Sequence, residues 1–355
     1  MRVGILTSGG DCQALNATMR GLALTLYKNV KDVEIIGFID GYKGLMYEKY
    51  KKMKPKDFYD ILNVGGSILG NSRCPFKRMR IIENGFDKVK AMKNTYKKLE
   101  LDCLVVLGGN GSIKSANMLS QEGLNVIALP KTIDNDAWGT DYTFGYSSAT
   151  AIATRYLDEI KTTAASHSRV FVIEVMGHKV GHICLSAGIA AGADVILLPE
   201  IPYDIKVVAK KVKETLKNEK NYAIIACAEG AISEADALMK KKDYKAKVLA
   251  RNGRSVVYEV ADELSQEIDA EIRVSCIGHA QRGGNPDSYD REISTRFGVE
   301  GARLIIKKHY GEYVVLQGNH VTHIPLEATA GKLKFVDPEG EIVQSAKLVG
   351  ISFGE

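Results

Sequence analysis

Apolar residues along this chain fall into short runs rich in Val, Ile and Leu, separated by longer stretches with helical spacing. Val3 to Leu6, Val33 to Phe38, Cys103 to Leu107, Leu124 to Leu129, Val170 to Val175, Val195 to Leu198, Tyr222 to Cys227, Val274 to Ile277 and Tyr313 to Leu316 read as strands. Their apolar character is continuous and not alternating, the mark of parallel strands covered on both faces. Asn16 to Tyr27, Asp87 to Leu99, Ile113 to Gln121, Ser148 to Thr162, Lys206 to Leu216 and Ser255 to Ile268 read as intervening helices. Strand and helix in alternation give βαβ units. The expected fold class is α/β: two doubly wound domains with largely parallel sheets, and an active site in the crevice between them. A turn-rich segment from Asp136 to Gly145 leads into a long helix and suggests a border there.

Composition narrows the class. At 355 residues and 45% hydrophobic content the chain can bury a large core. Its net charge of +5 is modest and spread along the sequence. Lys240-Lys241-Lys242 and the group Lys49, Lys51, Lys52, Lys54 and Lys56 lack a regular aromatic series for stacking bases. They read as solvated faces, so no nucleic-acid partner is expected. A slightly basic chain suits acidic, phosphorylated substrates. The six cysteines form no CxxC pair, and Cys103, Cys227 and Cys276 lie in apolar strand-like runs, as expected of reduced core thiols in a cytoplasmic protein. No signal-like segment opens the chain, and no apolar run approaches the ~18 residues of a membrane helix, so a soluble chain with no membrane partner is expected.

Three glycine-rich turns and one acidic loop carry candidate chemistry. Thr7-Ser8-Gly9-Gly10-Asp11 follows the first strand, and glycines there let backbone N–H groups approach an anion at a helix start. Gly65-Gly66-Ser67 leads to Gly70-Asn71-Ser72-Arg73, where an arginine can fork two phosphate oxygens or bond loop carbonyls. Gly108-Gly109-Asn110-Gly111-Ser112 is the strongest of the three, since nearly consecutive glycines at a helix start admit a polyphosphate to the main chain. None is a GxGxxG dinucleotide fingerprint or a Walker A loop. After another strand comes Pro130-Lys131-Thr132-Ile133-Asp134-Asn135-Asp136. It is either an acidic surface turn or a set of groups able to bind phosphate, hold a cation and take a proton.

In this combination and order the chain resembles the phosphofructokinase family. The resemblance rests on LTSGGD (Leu6 to Asp11), DGYKGL (Asp40 to Leu45), GGNGS (Gly108 to Ser112), PKTIDND (Pro130 to Asp136), GTDYTFG (Gly139 to Gly145), Ser166-His167-Ser168-Arg169, EVMGH (Glu174 to His178) and GHAQRGG (Gly278 to Gly284). It implies a phosphoryl transfer to the 1-hydroxyl of fructose 6-phosphate with Mg²⁺, in a cytoplasmic homo-oligomer, a tetramer or dimer, whose active sites are shared across a subunit interface. A donor domain, 1–145 with a later segment around 281–330, and a sugar-phosphate domain, 146–280, are implied with it. Asp134 matches the catalytic base, with Thr132, Arg73 and Gly10 supporting transfer. Asp136 and Asn110 match the metal-associated positions. Gly10, Tyr42, Arg73, Cys74, Gly109, Asn110, Gly111, Ser112 and Lys131 match the donor site. Thr132, Asp134, Asp136, Met176, Gly177, His178, Glu229, His279 and Arg282 match the sugar site, and Arg169 and Arg273 match arginines that reach the 6-phosphate from a neighbouring subunit.

The departures matter. Family members that use ATP typically read GGDGS and PGTIDND, and those that use pyrophosphate GGDDS and PKTIDND; this chain pairs Gly111 with Lys131. An aspartate at 111 would repel a nucleotide α-phosphate and glycine leaves its space open, while a flexible lysine excludes nothing, so ATP is favoured and pyrophosphate is the alternative. Asn110 stands where the family usually has a carboxylate, which weakens that position as an Mg²⁺ partner. His178 and Leu24 replace arginines of the regulated bacterial enzymes, although Arg20 is kept, so weak or altered control by ADP or phosphoenolpyruvate is expected. A GGxGS turn also occurs in NAD and lipid kinases, which would leave PKTIDND and GHAQRGG unexplained. A non-catalytic sugar-phosphate-binding regulatory subunit, suggested by Asn110, is opposed by retention of Asp134 and Asp136. The 230–272 segment and the tail beyond Gly318 receive no role.

Overall fold

A computed structural model of the protein describes residues 1–218, 220–329 and 331–355. The chain folds as two units, residues 1–148 with 282–334, and residues 149–281 with 335–355. In chain order the first unit contributes β1 (Arg2–Ser8), β2 (Glu34–Phe38), β3 (Tyr50–Met53), β4 (Cys103–Gly108) and β5 (Val126–Pro130). The second contributes β6 (Val170–Val175), β7 (Val195–Leu197), β8 (Ala223–Ala228) and β9 (Ile272–Cys276), and the chain then returns to the first for β10 (Glu312–Gln317) and β11 (His320–Pro325).

The first sheet has the order β11-β10-β5-β4-β1-β2-β3. Its inner strands are parallel, and only β3 and β11, at the two edges, run antiparallel to their neighbours. The chain runs outward from β1 to β3 and then returns to β4 on the other side of β1. That reversal makes the β1/β4 boundary a topological switch point, the place where open α/β sheets bind ligands. Every residue of β4 and β5 is buried, as a continuous apolar run between two helical layers requires. The Leu15–Asn29 helix packs on the Ser288–Ile306 helix, and glycines set how closely they approach. A Cβ at Gly21 would lie 2.6 Å from the Thr295 carbonyl oxygen, and one at Gly298 2.3 Å from that of Thr18.

The second unit carries a four-stranded, wholly parallel sheet in the order β7-β8-β6-β9. β6 and β8 are almost entirely buried, whereas β9 is an edge strand with no fully buried residue. Cys276 on β9 is therefore exposed, not the core thiol its apolar run suggested. Residues 335–355 add the Glu341–Leu348 helix and a backbone bridge from Ser352 to Val195 of β7. In the 230–272 segment, the Lys241–Ala250 helix buries none of its residues. It is fastened by charge: Lys247 bonds both oxygens of the buried Asp236 at 2.8 and 2.7 Å, and Arg251 pairs with Glu259 at 2.6 and 2.8 Å. Among the described residues no helix is long and apolar enough to cross a membrane.

Candidate active site

Register places two of the glycine-rich turns and the acidic loop next to one another in the first unit. Ser8 pairs with Gly108, and Gly108 with Pro130, so β1, β4 and β5 end level and deliver Gly9–Asp11, Gly109–Ser112 and Lys131–Asp136 to one sheet edge. The Asn110–Gln121 helix begins at the middle loop, and no side chain caps its first turn. The Ser112 and Ile113 N–H groups donate to the Gly109 carbonyl at 2.9 and 3.0 Å, so the N–H groups of Asn110 and Gly111 are the ones that face the loop as anion donors. A Cβ at Gly111 would meet nothing within 4 Å, so the space above that residue is open. Tyr42 is fully buried beneath the turn, where its hydroxyl donates to the Ser112 carbonyl at 2.8 Å. It supports the loop from below and is not exposed to a ligand.

Lys131 does not reach toward Gly111. Its side chain is 3% exposed, and its amine donates to the Gly10 carbonyl. Arg282 donates to the neighbouring Asp11 carbonyl at 2.9 Å. Two cations thus pin successive carbonyls of the first glycine turn, which turns the opposed N–H groups of those peptides the other way. Burial lowers the pKa of Lys131, and the Arg282 charge lowers it further. Burial in turn pushes the Cys12 thiol up to about 12. The same turn is tied sideways by the Gly9 N–H, which donates to the Ser72 carbonyl at 3.1 Å, and Ser72 donates to the Asp40 carbonyl at 2.5 Å. That tether leaves Arg73 exposed at the loop, beside a cavity of about 220 Å³ bordered by Arg73, Cys74, Lys43, Tyr47 and Met79.

In the acidic loop, Asp134 is partly exposed while Lys131, Thr132, Ile133, Asn135 and Asp136 are buried. Asn135 adopts φ 53°, a left-handed conformation that asparagine tolerates, and so reverses the chain between the two aspartates. Thr132 Oγ1 accepts from the Asp134 N–H at 3.1 Å, which leaves its own O–H free to donate elsewhere. Thr143 fixes the loop through the Thr132 carbonyl at 2.7 Å. Behind it, the fully buried Asp290 accepts from Tyr142 OH, Gly145 N, Ser148 N and Ser148 Oγ at 3.0, 2.9, 2.9 and 2.6 Å. Burial pushes the Asp290 carboxyl upward, and those donors oppose it.

The residues matched to the sugar in the second unit do not form one cluster. Met176, Gly177 and His178 follow the carboxyl end of β6, Glu229 follows that of β8, and His279 lies on the turn after β9. Glu229 Oε1 accepts from the Gly177 and His178 N–H groups at 3.2 and 2.5 Å, and so shapes the turn that presents them. Arg169 and Arg273 lie at the other end: Arg169 directly precedes β6, and Arg273 is the second residue of β9. The length of β6 separates Arg169 from Met176 by roughly 20 Å. An arginine side chain does not span that distance. Both arginines instead bond Glu271, Arg169 at 2.6 Å.

Residues 2–305 match the family model for phosphofructokinase. The chain belongs to the phosphofructokinase family. Among curated relatives, the ATP-dependent 6-phosphofructokinase of Spirochaeta thermophila is 47% identical, with 99% of this chain and 97% of that protein aligned. The ATP-dependent 6-phosphofructokinase 3 of Bacteroides thetaiotaomicron is 42% identical over the whole of both chains. The solved phosphofructokinase of Saccharomyces cerevisiae superposes with a TM-score of 0.80 at 28% identity, covering 92% of this chain and 45% of that one. This chain thus spans less than half of the yeast chain. The pyrophosphate-dependent phosphofructokinase of Nitrosospira multiformis, at 19% identity, shares the fold with a TM-score of 0.82 over 99% of this chain and 92% of that one.

Against the phosphofructokinase pattern, the asparagine at 110 has a local reason. Its amide donates to the Lys332 carbonyl at 2.6 Å, a bond that a carboxylate could not make. Its Oδ1 remains available as a hard oxygen ligand. Lys332 and Lys334 lie in the tail that received no role. Lys334 ties it to the acidic loop, with its N–H on the Asp136 carbonyl at 2.9 Å and its amine on the Thr140 and Asp141 carbonyls at 2.9 and 2.8 Å. Burial lowers the Lys334 pKa to about 8. Gln281 was also missed; it is fully buried and its Oε1 accepts from the Met176 N–H at 3.2 Å. Among the described residues no group of three or more His, Cys, Asp or Glu is placed to hold a metal ion.

Proposed function

We propose that this chain catalyses the ATP-dependent phosphorylation of fructose 6-phosphate at its 1-hydroxyl, giving fructose 1,6-bisphosphate and ADP. The observation that carries the choice of donor is the position of Lys131, whose amine is bonded to the Gly10 carbonyl while the space at Gly111 stays open. A lysine that bound pyrophosphate in place of a nucleotide would aim its charge into that space. The cavity beside Arg73 and Cys74 supports the same choice, since pyrophosphate has no nucleoside to fill it. Relatives named as ATP-dependent enzymes over nearly the full length agree with it.

In this reading the γ-phosphoryl group passes to the attacking oxygen and ADP leaves. Asp134 accepts the proton of the 1-hydroxyl as it attacks, the one proton transfer that phosphoryl transfer asks of the protein. Thr132, with its O–H free to donate, steadies the transferred group, and the amides of Gly109–Gly111 with Arg73 offset the negative charge that builds on the donor. Asp136 and the Asn110 Oδ1 are hard oxygen donors of the kind Mg²⁺ takes together with substrate phosphates and water. Bound there, Mg²⁺ would neutralise charge on the donor phosphates.

The 1–148/282–334 unit serves the donor and the 149–281/335–355 unit the sugar phosphate, with Met176, Gly177, His178, Glu229 and His279 lining the sugar. Arg282 belongs to the sugar phosphate by resemblance, and its bond to the Asp11 carbonyl also makes it a support of the donor turn. Arg169 and Arg273 act on the site of a neighbouring subunit in a homo-oligomer. The support is the strand length between them and Met176. A cytoplasmic location suits this chemistry and the free cysteines.

The test is a coupled assay of ADP or phosphate release with fructose 6-phosphate and ATP, GTP or pyrophosphate in parallel. Turnover with ATP is expected. Turnover with pyrophosphate and none with ATP would reverse the donor assignment, and sugar-phosphate binding without turnover on any donor would make the chain a regulatory subunit.

A further inference from the structure

Arg169, Glu271 and Arg273 meet where two parallel strands begin side by side. Val170 of β6 pairs with Ile272 of β9, and the Val170 N–H donates to the Glu271 carbonyl at 3.0 Å, so the residue before each strand lies beside the other. The Glu271 carboxylate divides its two oxygens. Oε2 accepts from Arg169 Nε at 2.6 Å, and Oε1 accepts from Arg273 Nη2. The two arginines and His167 act together to hold the Glu271 carboxyl below its usual range, the Arg169 bond first among them. Two guanidiniums brought together around one pair of oxygens are the arrangement that binds a phosphate.

We propose that Glu271 is an internal stand-in for the sugar's 6-phosphate, holding Arg169 and Arg273 together until the phosphate displaces it. The inference rests on the functional reading above and adds a residue that tunes sugar affinity. A phosphate monoester carries more charge than a carboxylate and offers three acceptor oxygens in place of two, so it wins the exchange. The displaced residue has somewhere to go: Glu271 is 43% exposed and precedes an edge strand, so it can swing into solvent without disturbing the core. Exposed ion pairs of this kind are individually weak, so the exchange costs little and Glu271 acts as a brake on affinity, not a block. Glu271 is therefore a positioning residue, since it touches the arginines and not the reacting atoms.

The test compares the wild-type protein with Glu271→Gln and Glu271→Asp. Calorimetric titration with fructose 6-phosphate in the absence of ATP gives Kd, and steady-state rates give KM and kcat for both substrates. Glu271→Gln is expected to tighten Kd and lower KM for fructose 6-phosphate by about three- to tenfold, the factor two exposed ion pairs are worth. The kcat and the KM for ATP stay unchanged. Glu271→Asp keeps the charge but shortens the reach, and falls between Glu271→Gln and wild type. A Kd that is unchanged or weaker in Glu271→Gln overturns the exchange, as would an Asp variant indistinguishable from wild type, which would leave only a general field effect. A wild-type protein that binds no fructose 6-phosphate would instead overturn the functional reading itself.

Discussion

Lys131 is 3% exposed and bonded to a backbone carbonyl, whereas the Arg273 side chain is 49% exposed and bonded to another side chain. The same contrast runs through the two sets of ligand-facing residues. On the donor side three loops end level on one sheet, and their backbone is cross-braced by Lys131, Arg282, Ser72, Thr143 and Asp290. The groups that would face phosphates are amides, whose direction is set by that bracing, so little reorganisation remains to be done at the moment of reaction. The residues matched to the sugar phosphate are divided between opposite ends of a single parallel sheet, and the arginines at one end are held by the Glu271 carboxylate, which on the proposal above the phosphate displaces. The first arrangement gives preorganisation, and the second, on the proposed sharing of sites, leaves sugar binding open to adjustment by another copy of the chain.

Substitutions can break that contrast at several points. The largest effect is expected for Asp134→Ser, which removes the proposed proton acceptor and should lower kcat by about 10³- to 10⁴-fold while calorimetric binding of fructose 6-phosphate stays near wild type. Turnover close to wild type would place the base elsewhere. Next comes Asp290→Ala, which strands four donors in a buried site. A loss of about 3 kcal/mol in urea unfolding is expected, and a loss within experimental scatter would mean that the acidic loop is not braced from behind. Lys131→Met is the smallest and the most informative. It removes the brace on the Gly10 carbonyl and should raise KM for ATP by about tenfold without creating turnover on pyrophosphate, the loss of one charge-assisted bond. A lower KM for ATP would show that the lysine competes with the nucleotide instead of supporting its turn.

Much of the donor side was legible in the sequence because its parts are contiguous. Glycines after a strand and before a helix, and a lysine, threonine and two aspartates within one loop, announce their chemistry from spacing alone. The braces were not legible. The Asn110 amide and the Lys332 carbonyl it bonds are 222 residues apart, and nothing in the intervening pattern links them. Asn110 consequently read as a weakened metal ligand when it is also a tether. The edge strands β3 and β11 escaped the pattern for a different reason: they carry lysines and histidines and bury little, and charge on an edge strand guards against unwanted pairing. The exposure of Cys276 has the same origin. The opposite placement of Arg169 and Met176 needed only the direction of β6, but it acquires meaning once both are matched to one ligand.

The sharing of sites between copies of the chain is the claim on which the contrast depends, and subunit complementation tests it most directly. Asp134→Ser protein lacks the base but keeps Arg169 and Arg273; Arg169→Ala protein keeps the base but lacks a phosphate arginine. Each is measured alone at low fructose 6-phosphate, and then as a co-expressed, co-purified mixture. The account predicts that the mixed oligomer regains activity above the sum of its parents, because some of its sites pair an intact Asp134 with an intact Arg169 from the neighbouring chain. Activity in the verified mixed oligomer equal to the average of the two parents would contradict it.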